Sequence, residues 1–466
     1  MLKNKKFGVY TIVFCILGVI FMFMYSGLQN DHYNIIQTFT AWKATQLQVG
    51  RTVGDVVCIA LTVIYGTFFM KYGVRKTLIP CIMLCALGCV GIVAANGLAV
   101  NMPQWAELKA SYLENNTPFY EQIASAGLEG SITGYLGLFS VSSFILRCCC
   151  MCFQMAGFQL AANWFIKYRG RVLGIVTLGS PLFSAVGVGR FTELIQKHWN
   201  YDYRFFYVGI SVVLVAIAIC TRFFLRDTPE EVGLYPDGAD HAPVSEDNSD
   251  EIHLTVGQIL SEKRAWLLIV SYGAFQFIIN CCMSSMTLRF VTLSGGTLWP
   301  VPAAKYWLAF GAICGIFMSY VFGWIDDKFG TIKASYALGI SEFIPVLMLM
   351  LMPAQGSALM GYIWGFGVAC MTGGVPTMHP ASITYAYGRR EYQSANRVIM
   401  AIQLIPSAFA AILMAALIQS GKARLAYGIC LVVIVIGLVA TWMLRKIPDA
   451  MAADRDFSAK AAGTEN

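Results

Sequence analysis

The sequence is poor in charged residues and histidine. Asp, Glu, Lys and Arg make up 13% of its 466 residues, whereas a soluble globular chain carries roughly a quarter. The 5 histidines do not show the close spacing that a metal site needs, and no Gly-rich loop that could cradle a nucleotide phosphate is present. These absences exclude an ordinary soluble enzyme and ATP drive, and we expect no enzymatic activity, no metal and no cofactor.

Apolar residues are abundant instead, at 57% of the chain with a mean hydropathy of +0.62. Most of the surface must therefore face lipid rather than water. The 15 cysteines lie mostly inside apolar runs, as in the stretch 148–152, where a thiol behaves as a small hydrophobe. We therefore expect neither a disulfide framework nor a zinc site.

Twelve runs are long and apolar enough to cross a bilayer as helices. They lie at 7–28, 50–70, 77–98, 134–163, 171–194, 204–225, 265–289, 303–325, 334–353, 357–379, 397–419 and 424–445. An even number of spans predicts that both termini lie on the same side of the membrane.

Lysine and arginine gather in alternate loops and at the termini. These residues are Lys3, Lys5, Lys6, Lys71, Arg75, Lys76, Lys167, Arg169, Arg171, Lys328, Lys333, Arg389, Arg390, Arg397, Arg445 and Lys446. Because cytoplasmic loops attract positive charge, both termini are predicted to be cytoplasmic in a cell (inner) membrane. The net charge of +7 then reflects membrane topology. It no longer indicates a nucleic-acid partner, and we expect none.

One long polar segment, 226–264, separates two groups of six spans. It carries ten acidic residues among Pro, Gly and Ser, a composition typical of a solvated tether. We therefore divide the chain into a first six-helix bundle at 1–225, a linker at 226–264, a second bundle at 265–446 and a cytoplasmic tail at 447–466.

The two groups share a motif. Gly66, Lys71, Gly73 and Lys76 follow the second span, and 257 positions later the same residue types stand at Gly323, Lys328, Gly330 and Lys333. Duplication of a six-helix unit is a mark of secondary transporters.

The repeated loop, with Arg75 in the first copy and Asp327 in the second, resembles the signature loop of the major facilitator superfamily. The resemblance implies an all-α protein with twelve transmembrane helices in two pseudo-symmetric bundles that rock about a central site. It also implies that the loop carboxylate and cations latch the cytoplasmic face. In the first copy Met70 stands where the acid is expected, so the first latch is expected to be weaker or differently built.

Ionisable residues inside the spans are functional candidates because an unpaired charge in lipid is costly. Arg147 lies near the middle of the fourth span, where a guanidinium favours an anion such as a carboxylate. Arg51 and Asp55, four residues apart, can pair on one helix face; alternatively, Asp55 is a titrating proton-coupling group. Glu342 is a second proton-coupling candidate, with a structural hydrogen bond as its alternative.

Polar side chains inside the spans supply further substrate-binding candidates. Tyr272, Gln276 and Asn280 form a stripe at helical spacing in the seventh span, with inter-helix hydrogen bonding as the alternative. The other candidates are Gln154, Gln403, Trp364, Tyr25 and the arginines Arg190 and Arg289 near outer helix ends. His379 is assigned to the inner end of the tenth span.

The segment Arg226–Pro236 resembles the corresponding stretch of oxalate/formate antiporter-like and organic anion symporter-like branches. Oxalate itself is doubtful because the eighth and eleventh spans lack buried cations. The leading hypothesis is a monomeric transporter for a small organic anion, driven as a proton symporter or as an anion exchanger. Two alternatives stay open: a proton-coupled multidrug efflux antiporter, and a membrane sensor that does not transport.

Overall fold

The computed structural model describes residues 5–29, 36, 40, 42, 44–47, 49–115, 119–128, 134–166, 168–183, 191, 194–195, 197–239, 254–293, 301–352, 358–388 and 391–450. Within these ranges the long elements are helices, and each predicted span overlaps one of them. They are α1 (Lys5–Gln29), α2 (Val49–Tyr72), α3 (Val74–Ala95), α4 (Leu136–Trp164), α5 (Arg169–Thr177, continued by Gly179–Leu182), α6 (Arg204–Phe224), α7 (Lys263–Leu293), α8 (Val301–Phe329), α9 (Thr331–Leu351), α10 (Ala358–Tyr387), α11 (Tyr392–Gln419) and α12 (Ala423–Leu444).

Eight of these helices combine the length and hydropathy needed to cross a membrane within the described part of the chain: α1, α2, α3, α4, α6, α7, α9 and α12. Two predicted boundaries were wrong. Helix α10 continues to Tyr387 rather than ending at 379, with Pro376 and Pro380 inside it. Helix α11 begins at Tyr392 rather than 397, because its first residues are polar and lie outside the apolar run.

The motif glycines make the turns between consecutive helices. Gly73 precedes α3 with φ +86° and Gly330 precedes α9 with φ +89°. A side chain at this positive φ would be strained, whereas glycine adopts it freely. The two copies of the motif therefore form the same tight turn.

Helices α1–α6 and α7–α12 pack mainly within their own group. In the first group the ring of Phe21 in α1 packs against the ring of Phe153 in α4, with the two centroids 6.0 Å apart. In the second, Ser271 of α7 and Thr441 of α12 form a buried hydroxyl contact of 2.6 Å. The groups meet along α2 with α11 and along α5 with α8, and these two seams flank the centre of the molecule.

The predicted tether 226–264 is folded at both ends. Two short turns, Pro229–Val232 and Pro236–Gly238, dock on the first group, where Lys6 donates to the Val232 carbonyl at 2.7 Å. The helix Val256–Ser261 lies against α11. Residues 240–253, like the tail from 451, fall outside the described residues.

The long loop 99–133 contributes two short helices, Trp105–Asn115 and Phe119–Ser125. Their Trp105 and Phe119 rings meet at 5.1 Å, and Lys109 donates to the Asn200 side chain at 2.8 Å. This part of the loop is therefore anchored on the segment that precedes α6, at the end of the bundle opposite the signature motifs.

Candidate functional site

A small cavity lies at the centre of the molecule, between α1, α4, α7, α10 and α11. Its volume is ≈ 50 Å³, and because one water needs about 10–15 Å³ by this measure, it holds only a few waters in this conformation. The lining residues are Tyr25, Gln154, Phe158, Tyr272, Gln276, Val375, Pro376, His379, Met400, Gln403 and Leu404. Both six-helix groups thus contribute to one cavity, which brings together four predicted substrate-binding residues and the predicted aromatic Tyr25.

The polar groups of the cavity carry no fixed charge. Three are glutamines, and each glutamine amide offers donors and an acceptor. Gln403 donates from Nε2 to the Leu268 carbonyl at 3.0 Å, which fixes its amide on α7. The Oε1 of Gln154 is buried without a hydrogen-bond partner among the described residues. The cavity can therefore hydrogen-bond a polar solute of either donor or acceptor character.

The Tyr272 hydroxyl is committed to a buried network behind the cavity wall. Ser382 donates to it at 2.5 Å, and it lies 2.5 Å from the Ser335 hydroxyl. Because Ser335 donates its own proton to the Thr331 carbonyl at 2.7 Å, the Tyr272 hydroxyl must donate to Ser335. Tyr272 thus presents its ring to the cavity, while its donor is used elsewhere.

His379 lies well inside α10, not at a helix end as the sequence indicated. Its side chain lines the cavity and is only 8% exposed, and Nε2 has no hydrogen-bond partner in the described part of the chain. The ring packs edge-on against Tyr272 with centroids 5.7 Å apart. The imidazole is therefore an additional polar group for a bound solute.

Arg147 does not line the cavity. It lies on the same face of α4 as Gln154, seven residues and about 10 Å away along the helix. Its Nε is ion-paired to Asp55 of α2, so the structure gives Asp55 a partner on a neighbouring helix. Its Nη1 is buried without a partner among the described residues. The guanidinium predicted to bind an anion thus already holds a carboxylate of the protein.

The remaining candidates lie away from the cavity. Glu342 of α9 is fully buried, and neither carboxylate oxygen has a hydrogen-bond partner in the part of the chain described. Trp364 is buried in the apolar cluster of the second group rather than on the cavity wall. Asn280 is half-buried on α7 outside the lining set. The side chain of Arg289, and all of Arg190, fall outside the described residues.

The two signature loops lie together at one end of the bundle, which we call the motif end and define by Gly66–Lys76 and Gly323–Lys333. In the second copy Asp327 pairs with Arg171 of α5 at 3.0 Å. The neighbouring Asp326 is nearly fully buried and accepts from Thr331 at 2.6 Å. The second motif is therefore joined to the first helix group by an ion pair.

The first copy is built differently, as its missing acid suggests. Met70 lies 4.0 Å from the Ser394 hydroxyl of α11. Asp227, which follows α6, accepts from the Arg75 backbone N–H at 2.8 Å and so caps the start of α3. Burial raises the pKa of the Asp227 carboxyl above its ordinary value, opposed by the hydrogen bond from Arg75.

The other motif cations face outward. Lys71, Lys76, Lys328 and Lys333 are exposed, and Lys328 lies over the Trp324 ring at 4.7 Å from its centroid. Gly66 faces α11, where an added Cβ would lie 3.0 Å from the Gln393 amide nitrogen. At the described contacts, the motif end is closed in this conformation.

Sequence reasoning did not identify Pro376, Met400 or Leu404 as cavity residues. Met400 lies three residues before Gln403 and four before Leu404, so helical spacing from Met400 was an available signal for a shared face. The position of Pro376 depends on the course of α10 through its two prolines, which the sequence alone does not specify.

Comparisons with known proteins agree with this architecture. The family model described as Major Facilitator Superfamily matches residues 7–388. Among curated protein sequences, none matches the chain significantly.

Solved structures match over almost the full length. A variant of the Escherichia coli fucose:proton symporter FucP aligns with TM-score 0.62 and 12% identity, covering 93% of this chain and 99% of that one. FucP in the outward conformation gives 0.59 and 12%, covering 93% and 98%. The proton:xylose symporter XylE gives 0.61 and 13%, covering 95% and 96%. At these identities the likeness is one of fold, which confirms the predicted twelve-helix architecture.

Proposed function

Because the chain belongs to the Major Facilitator Superfamily and is thus a multi-pass membrane transporter rather than an enzyme, we propose that it couples the movement of a small polar solute to protons by alternating access. The central cavity is the solute site, and Asp55 is the coupling acid. The observation that carries this proposal is the convergence of uncharged polar groups from both helix groups on one cavity.

The lining favours an uncharged solute rich in hydrogen-bonding groups. Gln154, Gln276 and Gln403 can each donate and accept, and His379 supplies a nitrogen without a partner among the described residues. One solute would bridge lining groups of both halves, from α4 in the first and from α7, α10 and α11 in the second, as alternating access requires. The cavity must expand to admit such a solute, because its present volume of ≈ 50 Å³ is that of a few waters.

A small organic anion is the second candidate, and the unpartnered Nη1 of Arg147 favours it. Protonation of Asp55 would release the guanidinium, which could then accept a carboxylate of the solute. In this second candidate function, the solute and the proton enter the protein together. The oxalate/formate and organic-anion branches stay predictions, as does exchange against a second anion.

Asp55 is better placed for proton exchange than Glu342. The Asp55 side chain is 31% exposed and faces a cation, so gain or loss of a proton makes or breaks an ion pair. Glu342 is sealed within its own helix group and faces no cation that the described residues reveal. Its proposed role in coupling is therefore the weaker one.

Uptake into proteoliposomes tests the proposal. Asp55→Asn should lose pH-gradient-driven accumulation of a solute at least about tenfold while retaining solute exchange at equal pH on both sides, because the asparagine removes the titrating group and keeps the cavity. Glu342→Gln is the matched control and should keep gradient-driven uptake. Full accumulation by Asp55→Asn would contradict coupling through this residue.

A screen of neutral polyols and amides against carboxylates decides between the two solute classes. Solutes that bind should raise the unfolding temperature of the purified protein. Stabilisation by neutral solutes in both wild type and Arg147→Gln favours the first candidate; stabilisation by carboxylates that Arg147→Gln abolishes favours the second.

We further propose that the protein is a monomer in a cell membrane with both termini cytoplasmic.

A further inference from the structure

The two seams at the motif end occupy matching positions in the internal repeat. Met70 and Asp327 are 257 positions apart in the two motif copies. Each faces the third residue of the helix across the seam: Asp327 faces Arg171 of α5, and Met70 faces Ser394 of α11. The α5–α8 seam therefore has an ion pair, Asp327 with Arg171, where the α2–α11 seam has two uncharged residues, Met70 and Ser394.

The α5–α8 seam is tightly packed, and its one described charged contact is the Arg171–Asp327 ion pair. A Cβ at Gly170 would lie 2.8 Å from the Gly323 carbonyl, and one at Gly174 would lie 2.7 Å from the Ser319 carbonyl. Backbone therefore packs directly on backbone. The Ser319 hydroxyl is fully buried and donates within its own helix at 3.0 Å. No hydrated path fits between these helices without separating them.

Helix α11 carries buried polar atoms at and beside the α2–α11 seam that are not satisfied. Gln393 and Asn396 are 4% and 0% exposed, and within the described chain neither amide has a partner for its nitrogen or its oxygen. Arg397 donates to Thr67 at 2.9 Å and to the Leu254 carbonyl at 3.4 Å, but its buried Nε has no such partner. Buried groups of this kind normally find a protein or water partner, so hydration of this part of α11 would satisfy them.

These polar groups continue the wall of the cavity. Asn396, Met400 and Gln403 follow one another at spacings of four and three residues, which places them on one face of α11. Met400 and Gln403 line the cavity, whereas Gln393 and Arg397 face Gly66 of α2. One side of α11 is therefore polar from the cavity to the motif end.

We propose that the solute path between the cavity and the motif end runs along this face of α11 and opens at the α2–α11 seam, while the α5–α8 seam stays packed and acts as the pivot. Gln393, Asn396 and Arg397 become hydrated and line the open path. The proposal rests on the proposed function, since it assigns the route by which the same cavity empties.

Copying the missing ion pair into the α2–α11 seam tests the route. Met70→Asp combined with Ser394→Arg should pair across it as Asp327 and Arg171 do across the other, and should reduce solute exchange at least tenfold without weakening solute-induced thermal stabilisation. Each single variant should slow exchange less, because one charge alone forms no bridge. Unchanged exchange in a folded double variant would overturn the proposal.

Chemical labelling provides a second test that does not depend on the double variant. Asn396→Cys and Ser319→Cys place a thiol at two fully buried polar positions, the first on the proposed path along α11 and the second in the α5–α8 seam. N-ethylmaleimide labelling is read by peptide mass spectrometry against the unsubstituted chain. We expect Cys at 396 to react during solute exchange at least tenfold faster than Cys at 319. Equal rates, or faster labelling at 319, would overturn the route.

The two proposals fail in different ways. If no solute stabilises the protein or exchanges across the membrane, the proposed function fails. If solute binding and exchange are normal but labelling favours position 319, only the route along α11 fails.

Discussion

The Asp55 carboxylate and the Arg147 guanidinium are partners across α2 and α4, and their energetic dependence on each other can be measured. Arg147→Gln alone leaves Asp55 without its counter-charge, and Asp55→Asn alone leaves the arginine unpaired. Loss of one partner from such a site costs about 1–3 kcal/mol. The double variant Asp55→Asn with Arg147→Gln should therefore unfold at a higher temperature than the Arg147→Gln single variant.

Thermal unfolding in detergent checks this double-mutant cycle. Additive losses from the two single changes would mean that the groups do not stabilise each other. Arg51, the other cation predicted to contact Asp55, serves as control: Arg51→Gln in the Asp55→Asn background should produce no comparable rescue.

Asp227 makes a pH-dependent contribution to stability. Burial raises the pKa of its carboxyl in the folded protein, so folding favours the protonated form. Its stabilising contribution is present at low pH and is lost as the pH rises through the folded-state pKa. Asp227→Asn keeps an acceptor for the Arg75 N–H and removes the buried charge. We expect this variant to unfold at the same or a higher temperature than wild type at pH 7, with the difference shrinking toward pH 4.

A matched variant separates charge from hydrogen bonding at this position. Asp227→Ala removes the acceptor and should cost about 1 kcal/mol, seen as a lower unfolding temperature at pH 7. If Asp227→Asn proved as damaging as Asp227→Ala, the carboxylate charge at the start of α3 would be stabilising instead.

At the scale of helices, the α5–α8 contact depends on glycine at the point of closest approach. A Cβ at Gly174 would lie 2.7 Å from the Ser319 carbonyl and 3.2 Å from the Tyr320 Cα, and backbone cannot yield as a flexible side chain does. Gly174→Ala should therefore lower the unfolding temperature and slow transport, because the closed motif end no longer packs.

Gly428 of α12 provides the matched control, since nothing lies within 4 Å of an added Cβ there. Gly428→Ala should leave transport unchanged and raise helix stability by about 0.5–1 kcal/mol through the lower entropy of the unfolded chain. Equal loss of thermal stability in both variants would show that helix flexibility, rather than close packing, explains the effect at Gly174.

Helix α10 shows why element boundaries are hard to predict in a membrane protein. The apolar run predicted an end at 379, yet the helix continues to Tyr387 with Pro376 and Pro380 inside it. Proline is tolerated inside such helices because neighbouring helices and hydroxyl side chains satisfy the freed backbone groups. The consequence is functional: the continuation places His379 on the cavity wall rather than at a helix end.

At the scale of the whole molecule, the distribution of lysine and arginine predicts orientation. The motif end carries the basic loops, so it should face the cytoplasm together with both termini. A protease site fused after Asn466 should be cleaved in inverted membrane vesicles and protected in intact cells. A site inserted in the loop that contains Trp105–Asn115 should show the opposite pattern, and cleavage of both from one side would refute the orientation.

The sequence by itself determined the features that depend on local composition. Apolar runs long enough to span lipid specified the twelve helices, and the repeated motif with Gly73 and Gly330 specified the duplicated unit and its tight turns. Polar residues inside apolar runs identified Gln154, Gln276 and Gln403 before their common cavity was known, because a polar face is costly against lipid.

Only the tertiary structure decided which of these groups meet. Arg147 was predicted to bind an anionic solute, but it is ion-paired to Asp55 of another helix. The residue that caps α3 is Asp227, about 150 residues further along the chain. Such pairings depend on how distant helices pack and rotate against each other, which no spacing within a single helix encodes. The asymmetry between the two seams has the same origin. The sequence shows that Met70 stands in place of an acid. Only the packing of α2 against α11 shows that Ser394 stands where the arginine of an ion pair would be.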